Sequence, residues 1–159
     1  KENVGFTLQF DTAPSELIEI AHGVSVPSSF DNTNVSEPKF SDLYKGVQLK
    51  EVPLEAIAWG RSGDKGNKAN IGIIARHPSL LPYIWETFSE NRIAKIFSHF
   101  LENEKIDRHY LPGISGVNFV LHDVLGGGGT TSLRNDPQGK GYAQVLLSCK
   151  INVPENLLV

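Results

Sequence analysis

The chain has 159 residues and a formal net charge of −3, with 40% apolar and 21% charged residues. That describes one globular domain, or one domain plus an appendage, and the charge balance argues against non-specific nucleic-acid binding. Its longest apolar runs are far shorter than a membrane span requires, and a lone cysteine, Cys149, leaves no intrachain disulfide and fits a reducing, cytoplasmic setting. The chain opens on Lys1 and contains no methionine, which reads as a fragment of a longer protein or a processed product. Asn34-Val35-Ser36 matches the glycosylation sequon; with no signal peptide before it, we treat it as chance.

In chain order, residues 4–10 suit a strand, and residues 14–22 fit a short helix begun by Pro14 and Ser15, although Glu16, Leu17, Ile18 and Ile20 would also suit a strand. From Val24 to Gly46 the composition is polar and linker-like, so residues 1–46 read as an N-terminal arm or the tail of a preceding domain, with the main domain over 47–159. Val47–Gly60 reads as a strand interrupted by Pro53, and Ala69–Ala75 as a strand buried on both faces. Residues 79–102 carry apolar side chains at helical spacing in two pieces, the second opened by a capping box of Thr87 and Glu90. Ile106–Leu111 is a third strand, ended by Pro112-Gly113. Val117–Leu125 is ambiguous by periodicity, with a buried helix stopped at Gly126 the favoured reading, and Tyr142–Ile151 is the last strand. The expected fold is an α+β two-layer sandwich, with helices on one face of a four- to five-stranded sheet. Were the helices crossovers, strands 69–75, 106–111 and 142–150 would run parallel.

Two polar stretches stand out. Between the first two apolar strands lies Arg61-Ser62-Gly63-Asp64-Lys65-Gly66-Asn67-Lys68, denser in charge than a surface turn needs. The second is Gly126-Gly127-Gly128-Gly129-Thr130-Thr131-Ser132-Leu133-Arg134, running on to Asp136 and Lys140. Four ordered glycines carry a large entropic cost, so such a run marks a flexible linker or a close backbone approach. The parallel topology brings both stretches to one end of the sheet. There Arg61, Lys65, Arg134 and Lys140 supply cations, and Ser62, Thr130, Thr131 and Ser132 supply hydroxyls. Glycine backbone could cradle phosphate or carboxylate oxygens. Asp64, Lys65 and Asp136 are the candidates for proton transfer.

Other chemistries lack their patterns. There is no Walker loop and no G-x-G-x-x-G, so neither nucleotides nor nicotinamides are supported. Ser62 sits in no G-x-S-x-G elbow. His22, His77, His99, His109 and His122 are scattered, so no metal site is expected.

Arg61–Asn67 with Ala69-Asn70-Ile71-Gly72 resembles a signature of the acyclic terpene utilization (AtuA) family. Asn118–Leu121, Leu125–Thr130, Ser132–Arg134, Asp136–Lys140 and Tyr142–Gln144 extend the resemblance in the family's order, over about residues 50–150. It implies a ferredoxin-like C-terminal domain preceded by a larger domain. The family is associated with catabolism of acyclic terpenes through acyl-CoA thioesters. No resident cofactor is implied, and a CoA thioester is a candidate substrate.

Two readings follow. In the first, the chain acts in assembly and completes a ligand site with a larger N-terminal domain, as a homo-oligomer. In the second it binds a CoA-linked anion by itself, through Arg61, Ser62, Gly63, Asp64, Lys65, Gly66, Asn67 and Asn70 with Gly127, Gly128, Gly129, Thr130, Thr131, Ser132, Arg134 and Lys140.

Overall fold

The computed structural model describes residues 5–10, 13–19, 38–40 and 42–158, which fall into two units, 1–36 and 37–159. In the first unit, β1 (Gly5–Phe10) and β2 (Ala13–Glu19) form an antiparallel hairpin, with Phe6 opposite Ile18 and Leu8 opposite Glu16. The helix expected over 14–22 is therefore a strand as far as Glu19. Leu17 and Ile18 find ladder partners in β1, whereas a helix this short has little stability of its own. Residues 20–22, and residues 24–37 of the expected linker, lie outside the described residues.

The second unit holds two antiparallel sheets. β3 (Leu49–Pro53) pairs only with β8 (Lys150–Pro154). The other sheet has the order β4-β5-β7-β6, from β4 (Ala58–Lys65), β5 (Lys68–Ala75), β6 (Ile106–Leu111) and β7 (Gly116–Leu121). The strand read over 47–60 is thus two strands in two sheets. Pro53 ends the first and a single helical turn, Leu54–Ala56, separates them.

β5 shows the logic of the core. Ala69, Ile71, Ile73 and Ala75 are buried, while Asn70 and Gly72 are half-buried and Ile74 is exposed. Its near-continuous apolar run therefore buries one face, not both. On that face Ile71 lies opposite Phe119 and Ile73 opposite Val117, with Leu121 beside Ala69. Helices α1 (Leu81–Thr87), α2 (Glu90–Ile96) and α3 (Tyr142–Leu147) cover it with Ile84, Trp85, Ile93, Tyr142, Ala143 and Leu146, all buried. Phe97 and Phe100 each lie 5.3 Å from Tyr142, ring to ring. Phe40 and Leu43, from the segment read as an arm, also pack on this core. The α+β arrangement, with helices on one face of a four-stranded sheet, is as expected.

Four further readings are corrected. Residues 116–121 are strand, not helix, and Tyr142–Leu147 is helix, with the last strand beginning only at Lys150. Every strand pair is consequently antiparallel. The second helical piece starts at Ser89, whose extended backbone and hydroxyl cap the Arg92 N–H, and not at a Thr87–Glu90 box. Among the described residues no helix is long and apolar enough to cross a membrane.

Candidate functional site

The two polar stretches do meet, by a different route from the one expected. β5 starts beside the end of β7, Ala69 opposite Leu121. Whatever precedes β5 therefore lies against whatever follows β7. The first is the β4–β5 turn, and the second is the glycine tract.

The first stretch is mostly strand. Arg61–Lys65 are in β4 and Lys68 opens β5, leaving a two-residue turn of Gly66 and Asn67. Gly66 has a φ of 66°, which suits the first central position of a II′ hairpin turn. The ladder uses backbone N–H groups of β4, so this segment is not the open anion cradle that a loop would have offered.

Asn67 ties the turn to the glycine tract. Its Nδ2 donates to Asp123 Oδ1 at 3.1 Å, and its Oδ1 accepts from the Gly127 N–H at 2.7 Å. Its carbonyl accepts from the Val124 and Leu125 N–H groups. Asp123 takes a left-handed conformation, φ 45°, and accepts from Asn103 as well. All four tract glycines have positive φ, and Gly128 is buried against the Gly66 backbone. The tract therefore docks on the chain's own hairpin.

Several other candidate side chains are likewise spent on structure. Ser62, 6% exposed, donates to the Lys140 carbonyl at 3.0 Å and accepts from the Ala143 N–H at 2.9 Å, bolting β4 to the start of α3. Asp136 accepts from the Lys140 and Gly141 N–H groups at 2.9 and 2.8 Å, which fixes where α3 begins. Arg134 donates to the Val124 carbonyl, where the Tyr142 hydroxyl also donates. Burial raises the Tyr142 pKa, keeping that phenol a donor. Ser132 accepts from the Arg134 N–H, and Asn70 donates to Asn118 at 3.2 Å.

What faces outward is cationic. Arg61, Lys65, Lys68 and Lys140 are exposed, as are Thr130 and Thr131. Asp64 sits 3.6 Å from Lys140 Nζ, a long and partly solvated pair. Lys65 Nζ donates to the Asp64 carbonyl. Gly63 lies under Lys140, whose Nζ is 3.2 Å from where a Cβ would stand. Gly129 is open to solvent. Two larger concavities lie elsewhere: about 540 Å³ beside Tyr44, Thr87 and Arg92, and about 690 Å³ beside Ile57, Arg76 and Leu157. Among the described residues, no group of three or more His, Cys, Asp or Glu could hold a metal ion.

Two polar features escape a sequence reading. Arg108 reaches from β6 to the end of α1. His122 Nε2 lies 2.6 Å from Asp107 Oδ2. That hydrogen bond, outweighing the cost of burial, holds the Asp107 carboxyl below the usual carboxylate range. A group whose pKa is depressed in the fold contributes stability above its unfolded pKa and loses it as pH falls through the folded value. Stability from this pair should therefore fade in acid, below about pH 4. Melting the protein and its Asp107→Asn variant across the acid range should show the steeper loss in the unsubstituted chain; equal slopes would sink the assignment.

The family model for the AtuA ferredoxin-like domain matches residues 52–152. No curated protein and no solved structure matches the chain.

Proposed function

The chain belongs to the AtuA ferredoxin-like domain family, and from that premise we propose that it acts in assembly, completing a ligand site with a larger domain. One observation carries the reading. The junction of hairpin and glycine tract satisfies its own polar groups, yet leaves Arg61, Lys65, Lys68 and Lys140 exposed around it with Asp64 as the nearby counter-charge. A rim of this kind, with little depth of its own, is half of a site. Ligand sites commonly form where two domains meet. The ligand class that suits the rim is an anion of several oxygens, such as the phosphates of a CoA thioester of a branched acid. The family association with acyclic terpene catabolism supports the same class.

The alternative is that the rim binds such an anion by itself. Thermal shift separates the two. A ligand at about 100 times its dissociation constant stabilises by roughly 2.7 kcal/mol. The proposal expects no shift of this chain with phosphate, free CoA, acyl-CoA or small branched carboxylates. It expects a shift once the larger domain is joined, weakened by Lys65→Ala and Lys140→Ala. A shift of the chain alone, lost in those variants, makes the domain a self-contained binder.

A further inference from the structure

The helices cover one face of the four-stranded sheet, and no other described element packs on the opposite, open face. On that open face the strand register sets three rows that span all four strands, with the exposed pair Lys65 and Lys68 beyond them at the β4–β5 tip. The first row is Trp59, Ile74, Gly116 and Leu111; the second Arg61, Gly72, Asn118 and His109; the third Gly63, Asn70, Val120 and Asp107. Trp59 is 55% exposed, Ile74 40% and Leu111 38%. Gly116 lies beneath Ile114, itself 57% exposed. An apolar row with a half-bare indole at its end is unusual on a surface that stays in water, since exposed aromatic anchors of this kind characterise interfaces.

We propose that this open face packs against the same face of a second copy of the chain, about a two-fold axis parallel to the strands. The proposal goes beyond the completion of a ligand site with a larger domain: it concerns the open sheet face and a second copy, and it needs no ligand. Such an axis, running between β5 and β7, lays β4 of one copy over β6 of the other and keeps each row over itself. Sheets pack face to face with their strands nearly aligned, and a two-fold contact must be self-complementary.

The rows meet that requirement. In the first, Trp59, whose ring lies 4.6 Å from the Arg76 guanidinium of its own chain, comes over the partner's Leu111, and Ile74 over the partner's Ile114 and Gly116. In the second, Gly72 faces the partner's Asn118, a small residue against a large one. Arg61 comes over the partner's His109, one row from the partner's Asp107. Asp107 itself faces the partner's Gly63, which has no side chain and lies under Lys140. Each carboxylate therefore meets two cations, Arg61 and Lys140 of the other copy. Asp107 is a carboxylate at neutral pH, as argued above, and the Arg61 guanidinium has no hydrogen-bond or ion-pair partner among the described residues of its own chain. The other in-plane two-fold, perpendicular to the strands, would set Arg61 on Arg61 and Leu111 on Asp107, so charge selects the parallel axis.

At about 4.8 Å between strands and about 3.4 Å per residue, the face covers roughly 400 Å² per copy, the size of a weak and reversible contact. Sedimentation equilibrium of the full chain, from about 5 to 500 µM, spans the range expected of such a contact. The proposal expects a monomer–dimer equilibrium. It expects Trp59→Glu, Arg61→Asp and Asp107→Arg each to weaken association at least tenfold, with Arg61→Asp and Asp107→Arg together restoring it. Should Asp107→Arg fail to fold, Leu111→Glu takes its place as the loss variant on β6. A monomer at every concentration overturns the proposal, as does a dimer indifferent to Trp59→Glu and Arg61→Asp. Neither result touches the Lys65→Ala arm of the thermal-shift test, since Lys65 lies outside the three rows of this contact.

Discussion

Gly128→Ala should cost about 4 kcal/mol, while Gly129→Ala, one residue on, should cost about 1 kcal/mol. The two glycines share a left-handed backbone, with φ of 67° and 51°. An L-residue pays roughly 1–2 kcal/mol for that conformation wherever it occurs. They differ in what a Cβ would meet. At Gly129 there is open space. At Gly128 a Cβ lands on the Gly66 carbonyl oxygen, with the carbonyl carbon 2.7 Å and the Asn67 nitrogen 3.1 Å away. These are backbone atoms of a tight turn and have no rotamer to change. To relieve the clash, the tract must lift off the hairpin, breaking the Gly127–Asn67 hydrogen bond. In a unit of this size, 4 kcal/mol is a fall in melting temperature of roughly 15 °C, or failure to fold. A melting comparison of the two variants checks it. Equal small losses would mean that the tract does not sit on the hairpin.

That comparison also shows why the tract mattered in the sequence and why its partner did not show there. Four glycines in a row announced a close approach or a linker. They could not say approach to what, because Gly66 lies about sixty positions away. The same distance hid the role of Asn67, which joins Asp123 and Gly127. The polar pieces were legible as types and as two clusters, while their saturation by one another was not.

Elements followed a similar rule. β6 and the two helices between 81 and 96 have clear periodicity, although the cap of the second helix, Ser89, lies two residues beyond Thr87. Val117–Leu121 is a nearly unbroken apolar run, equally suited to a buried helix. The clue to a strand was Asn118, polar at alternate spacing and set on the open face. Tyr142–Leu147 alternates well enough to look like a strand. Its burial of Tyr142, Ala143 and Leu146 is helical, and its start is set by Asp136, several residues upstream. Both errors change the sheet from partly parallel to wholly antiparallel. The polar stretches nevertheless meet, because an antiparallel hairpin tip and the end of the neighbouring strand share an edge as readily as two parallel strand starts would.

Replacing Arg108 with Met should cost about 3 kcal/mol, although the stem of the side chain is kept. The Arg108 side chain is only 9% exposed. Its Nη1 donates to the Trp85 carbonyl at 2.6 Å and to the Phe88 carbonyl at 3.4 Å, and its Nε to Glu90 at 3.2 Å. The guanidinium also lies 3.6 Å from the centre of the Trp85 ring. The two carbonyls belong to the last turn of α1 and the residue after it, where a helix has no donors of its own and carries partial negative charge. Arg108 thus closes the end of α1, pins the break before α2 through Glu90, and fastens both to β6. Met fills the space but leaves the carbonyls unpaired beside the core. Lys restores the charge without the planar fork that reaches two carbonyls and a carboxylate together, so Arg108→Lys should recover less than half of the loss. Glu90→Gln is the informative contrast. The Glu90 side chain is 38% exposed, and losing its charge should cost well under 1 kcal/mol. Chemical denaturation of the three variants would rank them Met, Lys, Gln in decreasing loss. Were Glu90→Gln as damaging as Arg108→Met, the ion pair would be the dominant contact, and Arg108 would be holding a carboxylate in place more than capping a helix.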